Sequence, residues 1–302
     1  MVSRTTGGGA TSPLQASRRV CDRPGMPRPP SAVRVGVDMA ALGIDDDAEG
    51  CRAAGPVGAD VHVVELLSLD PPLALHTVVI RYPEHRRATL VLGCTGPDRQ
   101  LLTIVEPALA LPRGLELRGP GLWLDLQYLV PFDHVTLGVE AFATGLDDPA
   151  EALGRAYGDR VPLGLDLEWD TEGPPQEPSG QAGGVPGYEL AGRAHGEILI
   201  GAERLEIDAI GARRHLFGDT VPWAAPWARE LGPAGVRALH PDDAAARCAT
   251  GDVLAEAPAL VTAAAHGVPG VPGFRLDRAL VRVQDAGAGE PGTVWIERST
   301  PC

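Results

Sequence analysis

From about residue 60 onward the chain is cut into short runs rich in Val, Leu and Ile. Gly, Pro or Asp interrupt them roughly every 8–12 residues. The runs VHVVELLSL, ALHTVVIRY, ATLVLGC, QLLTIVEPAL, GLELRG, GLWLDLQYLV, HVTLGVEAF and VPLGLDLEW are each too short for a buried helix and long enough for a strand. Regular short strands with turn signals between them predict an all-β sandwich or barrel. The run GLWLDLQYLV alternates, with Leu122, Leu124, Leu126 and Tyr128 on one face and Trp123, Asp125, Gln127 and Leu129 on the other. A single helix is expected in this half, over residues 147–158, because DDPAEALGRAYG opens on Asp-Pro and closes on Gly.

Residues 1–31 are rich in Gly, Ser, Pro and Arg and lack periodic apolar positions, so a disordered tail is expected there. The tract TEGPPQEPSGQAGGVPG has no face to bury and reads as a linker over residues 173–187. It divides the expected N-terminal β domain, residues 32–172, from a C-terminal one, residues 188–302. In the second half YELAGRAHGEILI, LEIDAIGARRHLFG, GVRALH, FRLDRALVRVQ and GTVWIERS resume the strand pattern. The alanine-rich insertion that starts at PDDAAARC is expected to be partly helical.

A formal charge of −14 argues against a nucleic-acid partner, which needs clustered basic side chains. Every basic side chain other than histidine is arginine, and without lysine no Schiff-base chemistry is open to the chain. The five cysteines are scattered, with no C-x-x-C pair, and fit free thiols in the cytoplasm. No secretory leader and no membrane span are expected. H-E-x-x-H, P-loop and G-x-S-x-G motifs are all missing. His240, Asp242 and Asp243 in HPDD read as a capped turn rather than a metal site.

The stretch GARRHLFGD, residues 211–219, concentrates ionisable groups. In one continuous strand Leu205, Ile207, Ala209, Gly211, Arg213, His215 and Phe217 share a face, so the phase set by Leu205 and Ile207 turns Arg213 and His215 inward unless a bulge at Gly211 reverses it. The opposite phase leaves Arg214 outside. Buried charges need water or partners, and Asp219 and Glu189 are the candidates, which makes the stretch a cavity wall. Bracing of a barrel end by hydrogen bonds is the structural alternative. Trp223 and Trp227 in VPWAAPW are candidate walls of an apolar pocket, with core packing as the alternative. Asp125 and Gln127 beside Trp123 are candidate polar contacts.

Residues 187–223, GYELAGRAHGEILIGAERLEIDAIGARRHLFGDTVPW, resemble the second-domain signature of the carotenoid 1,2-hydratase (hydroxyneurosporene synthase)/AttH-like family. That signature holds a Tyr-Glu strand, a Gly-rich hairpin, and a Gly-x-Arg-x-His-x-Trp-Gly-like segment followed by Trp. The resemblance implies two consecutive lipocalin-like β domains and a hydrophobic pocket. Its members include alkene hydratases and Diels–Alder-type cyclases, which use no metal or nucleotide cofactor. It places Tyr188, Glu189, Arg213 and His215 on motif positions, and Gly211 and Gly218 on its turn glycines. Arg214 stands where an aspartate often precedes the histidine, Leu216 takes a serine-like position, and Phe217 replaces the tryptophan. Loss of that aspartate weakens the case for alkene protonation and leaves cyclisation by shape and hydrogen bonding better served.

The expectation is therefore an all-β protein that encloses a polyene, polyketide or isoprenoid and cyclises or hydrates it without a cofactor. His215 and Arg213 act on the substrate, Asp219 or Glu189 orients the histidine, and Tyr188, Phe217, Trp223, Trp227, Trp123, Asp125 and Gln127 bind. The chain is expected to act as a monomer or homodimer. The rival is a carrier that binds a lipophilic molecule without turning it over.

Overall fold

The computed structural model describes residues 49–179, 186–286 and 291–302. The tail expected over residues 1–31 lies outside them. The apolar runs become strands β1 (Ala59–Leu69), β2 (Pro72–Tyr82), β3 (Arg87–Thr95), β4 (Leu101–Ala110), β5 (Glu116–Gly119), β6 (Leu122–Val130), β7 (His134–Leu146) and β8 (Asp159–Thr171). After the Pro/Gly tract come β9 (Gly187–Ile200) and β10 (Glu203–Gly218), then β11 (Trp227–Gly232), β12 (Gly235–Leu239), β13 (Asp252–Glu256), β14 (Ala259–Val261), β15 (Phe274–Val283) and β16 (Gly292–Pro301). Two short helices, α1 (Pro241–Thr250) and α2 (Ala263–His266), sit in the alanine-rich insertion. The protein is all-β and lipocalin-like, with few short helices.

Ten strands form one antiparallel sheet in the order β4-β3-β2-β1-β10-β9-β8-β7-β6-β5. Leu101–Thr103 of β4 also pair with Thr144–Leu146 of β7, which closes the sheet into a barrel. The second sheet runs β12-β11-β16-β15-β13, with β14 also on β15. The Pro/Gly tract does not separate the two sheets, because β9 and β10 lie beyond it and pair with β8 and β1 of the barrel. The second half of β10 is buried on both faces and so needs a core on each side. The barrel interior supplies one of these cores and the second sheet the other.

The interior is filled by side chains such as Val64, Leu66, Leu90, Leu124, Leu137, Leu165 and Ile207. A second core lies between the sheets, where Val61, Val63, Val78 and Ile80 meet Trp223, Trp227, Phe274 and Leu276. The helix expected over 147–158 shrinks to a 3₁₀ turn, Pro149–Leu153, capped by Asp148 and ended at Gly154. His240 caps α1 through the Asp242 N–H, so HPDD is a helix start.

No bulge occurs at Gly211, and the register with β1 and β9 runs through it unbroken. Gly211 faces Gly192 across the β9–β10 pair, and the Trp169 ring fills the space above both. A Cβ would lie 2.5 Å from the ring at Gly211 and 2.6 Å at Gly192, so glycine here is a packing requirement.

Candidate active site

The unbroken alternation turns Arg213, His215 and Phe217 of β10 inward at the barrel end where β1 begins. Register sets His62 opposite His215 and Asp60 opposite Phe217 on the neighbouring strand, and Arg81 of β2 opposite Asp60. His215 Nε2 lies 2.6 Å from Asp60 Oδ1, and His62 Nε2 lies 3.4 Å from the same oxygen. Arg81 Nη1 and the Arg52 N–H donate to the other Asp60 oxygen at 2.5 and 2.9 Å. The two imidazoles stack with centroids 4.1 Å apart. His62 Nδ1 meets the Tyr128 hydroxyl at 2.8 Å, and His215 Nδ1 meets that of Tyr188 at 3.4 Å.

Tyr188 in turn donates to Glu49, whose Oε1 also accepts from Arg213 Nη1 at 2.9 Å and whose Oε2 accepts from the Phe132 N–H at 3.1 Å. Phe132 holds a left-handed φ of 60°, unfavourable for a bulky side chain, in the β6–β7 turn.

Electrostatics follow from this packing. Burial works to raise the Asp60 pKa, but hydrogen bonds from His215 and His62 outweigh it and hold the carboxyl far below the usual range. Burial, then the proximity of His215, pushes His62 down to about 4. Burial raises Tyr188, and Tyr128 and Glu49 add to that. Burial opposes the Arg213 charge, but Tyr128, Glu49 and Tyr188 more than offset it, so the guanidinium stays protonated.

Arg214 is a correction to the expectation that it lies outside, since its side chain is only 2% exposed. The face it shares with Val63 and Leu216 is covered by the second sheet rather than by water. There Arg214, Arg229 and Arg278 surround Glu297, with Arg214 Nη2 at 2.8 Å and Arg278 Nε at 2.8 Å. Glu65 and Glu189 pair with Arg229. Burial raises the Glu297 pKa, but Arg278, Arg214 and Arg229 outweigh it and bring it down to about 2. Two buried charge clusters therefore sit back to back across the β1–β10 pair.

Of the expected site residues, Tyr188, Arg213, His215 and Phe217 come together. Phe217 packs edge-on against His215 at 5.2 Å beneath the Arg52 guanidinium. The carboxylate on His215 is Asp60, and not Asp219 or Glu189. Asp219 is exposed beyond the end of β10. Glu189 points to the other cluster, because it is one residue out of phase with Tyr188. Trp223 and Trp227 are buried between the sheets, and Trp123, Asp125 and Gln127 project from the barrel's outer face, where Trp123 Nε1 donates to Glu116.

Among the described residues, the gap beside Arg213 lined by Val64, Leu126, Leu137 and Trp169 is about 10 Å³, far below the expected guest-sized hollow. Arg213 and Arg81 are each ion-paired with a buried carboxylate, Glu49 and Asp60. An open groove of about 670 Å³ runs along the outer face past Trp123 and Phe142, and a recess of about 230 Å³ by Leu73 and Cys94 lies at the opposite barrel end.

Asp60, His62, Tyr128 and Glu49 were not anticipated from sequence. The signal for the first two is D-x-H at the start of an apolar run, the same inward phase that placed R-x-H in β10. Asp60, His62 and His215 each bring one possible ligand atom within 4.8 Å of the others. Arg81 already neutralises Asp60, and a dication there would sit beside that buried guanidinium, so the donor set fits hydrogen bonding better than a metal ion.

No protein-family model matches this chain, and no curated protein matches it. Among solved structures it is similar to a protein assigned as AttH from Nitrosomonas europaea, at 12% identity and a TM-score of 0.46, over 82% of this chain and 93% of that one. It is also similar to CghA solved with Sch210972, at 11% identity and a TM-score of 0.42, over 82% of this chain and 89% of that one. Likeness at this level carries no argument about the site.

Proposed function

We propose that the chain is a cofactor-independent enzyme acting on a lipophilic small molecule at this barrel end. The reaction is cyclisation, or alternatively alkene hydration, of a polyene, polyketide or isoprenoid. The observation that carries this reading is the convergence of Arg213, Tyr188 and the Phe132 N–H on one carboxylate, with the Asp60–His215 pair directly behind Tyr188. Buried ionisable groups with strongly shifted pKa values gather at functional sites more often than elsewhere.

In this reading a substrate oxygen takes the position beside Arg213 and Tyr188. Both donors keep their protons, and in a site shielded from water they stabilise the charge that grows on that oxygen as a ring bond forms. Asp60 fixes His215 through Nε2, and His215 Nδ1 positions the Tyr188 hydroxyl that donates to the substrate oxygen. A tyrosine with a raised pKa is a poor acid for an unactivated alkene, so cyclisation of a chain conjugated to an oxygen function is the better-supported reaction.

A second reading, a non-catalytic carrier, is favoured by the ion pairs Arg213–Glu49 and Arg81–Asp60, which hold the charged groups against one another. Incubation with candidate polyenes separates the two. Product formation abolished by His215→Ala supports the enzyme, whereas stoichiometric recovery of unchanged ligand supports the carrier.

A further inference from the structure

We infer that this barrel end receives an aliphatic carboxylate, and that Glu49 is its intramolecular stand-in. The inference rests on reading the barrel end as a ligand site and names the chemical class of the ligand. Three elements converge on the Glu49 carboxylate: β10 through Arg213, β9 through Tyr188, and the β6–β7 turn through the Phe132 N–H. Glu49 itself belongs to no strand and reaches in from ten residues before β1. The donors thus belong to the barrel, and the acceptor does not.

Charge decides the class of ligand. Arg213 is 1% exposed and held protonated, so a neutral group replacing Glu49 would strand a buried cation, while a carboxylate restores the pair. Arg213 also has capacity to spare. Its Nε and Nη2 are buried and make no hydrogen bond, and the guanidinium borders the gap lined by Val64, Leu126 and Trp169. Glu49 engages only Nη1, whereas an untethered carboxylate is free to turn and take two guanidinium N–H groups in the forked geometry. A ligand following the path of the Glu49 side chain leaves its tail at the barrel end. There Leu129 and Val130, beside the Phe132 turn, are 54% and 44% exposed. The fit is an acid head with a lipophilic tail, with Glu49 as an internal competitor for the head.

The test is calorimetric titration of the full chain and its Glu49→Ala variant with dodecanoate and with dodecan-1-ol. Removal of the competitor is expected to raise dodecanoate affinity about tenfold or more while leaving dodecanol unchanged. Equal dodecanoate affinity in the two proteins, or an equal gain for the alcohol, overturns the inference. Should Glu49→Ala not fold, Glu49→Gln removes the competing charge at constant shape, and a smaller gain for dodecanoate, again without one for dodecanol, is expected. An unchanged affinity there also overturns the inference. Formate should raise the melting temperature of Glu49→Ala more than that of the parent, and sodium chloride at equal ionic strength should not. Equal responses to the two salts overturn the inference. Dodecanoate binding without turnover of any polyene sustains the ligand class while ending the enzyme reading. Polyene turnover with no gain in dodecanoate affinity on loss of Glu49 ends the ligand class alone.

Discussion

Asp60 is the acceptor that His215, His62 and Arg81 share. Asp60→Asn leaves a buried guanidinium without its counter-charge, so a loss of about 3–5 kcal/mol in urea unfolding is expected. Adding Arg81→Met should recover part of it, and an Asp60→Asn protein as stable as the parent would contradict this assignment. His62 yields a pH prediction with a definite sign. Its folded pKa of about 4 lies below the ordinary 6.5, so the unfolded chain binds the proton first. Its contribution to stability is complete above about pH 6.5 and is lost as pH falls towards 4, to the extent of a few kcal/mol. Histidine NMR titration should show His62 neutral at pH 5.5, and a midpoint near 6.5 would refute its burial against His215. The inward aim of Arg213 and His215 was legible because they share a phase with Ile207 and Ala209. Their partners were not. Asp60 and Glu49 lie 155 and 164 positions away, and only strand pairing brings β1 to β10.

At the level of strands, the way each run is patterned records what covers it. β1 and β2 read as nearly continuous apolar runs because the barrel interior takes one face and the second sheet the other, whereas β6 alternates because its outer face meets solvent. That contrast was present in the sequence. Reading Arg214 as an outward residue failed because a second sheet over that face has no signature within β10 itself. Gly211 shows the same limit, since its need for space comes from Trp169 on β8. Gly211→Ala should cost about 1–3 kcal/mol through overpacking, measured by thermal or urea melting. A neutral effect would mean that the Trp169 ring moves aside freely.

For the molecule as a whole, the cluster of Arg214, Arg229, Arg278, Glu65, Glu189 and Glu297 fastens the second sheet to the barrel. The two sheets are therefore expected to unfold together. Fluorescence and circular dichroism should give one coincident urea transition, and Glu297→Gln should lower or split it. Two transitions in the parent would contradict this coupling. The all-β class and the strands β1–β10 were legible in the spacing of apolar runs, whereas β11, β13 and β14 were not among those runs. The joining of β9 and β10 to the barrel was not, because a Pro/Gly tract marks a break in the chain and not a break in a sheet. No helix among the described residues is long and apolar enough to cross a membrane. Whether a lipophilic substrate presents its oxygen to Arg213 and Tyr188 is decided by intermolecular NOEs from a bound polyene. Contacts to the rings of Tyr188, Phe132 and Phe217 are expected. Contacts confined to Trp123 and Phe142 in the outer groove would contradict that placement.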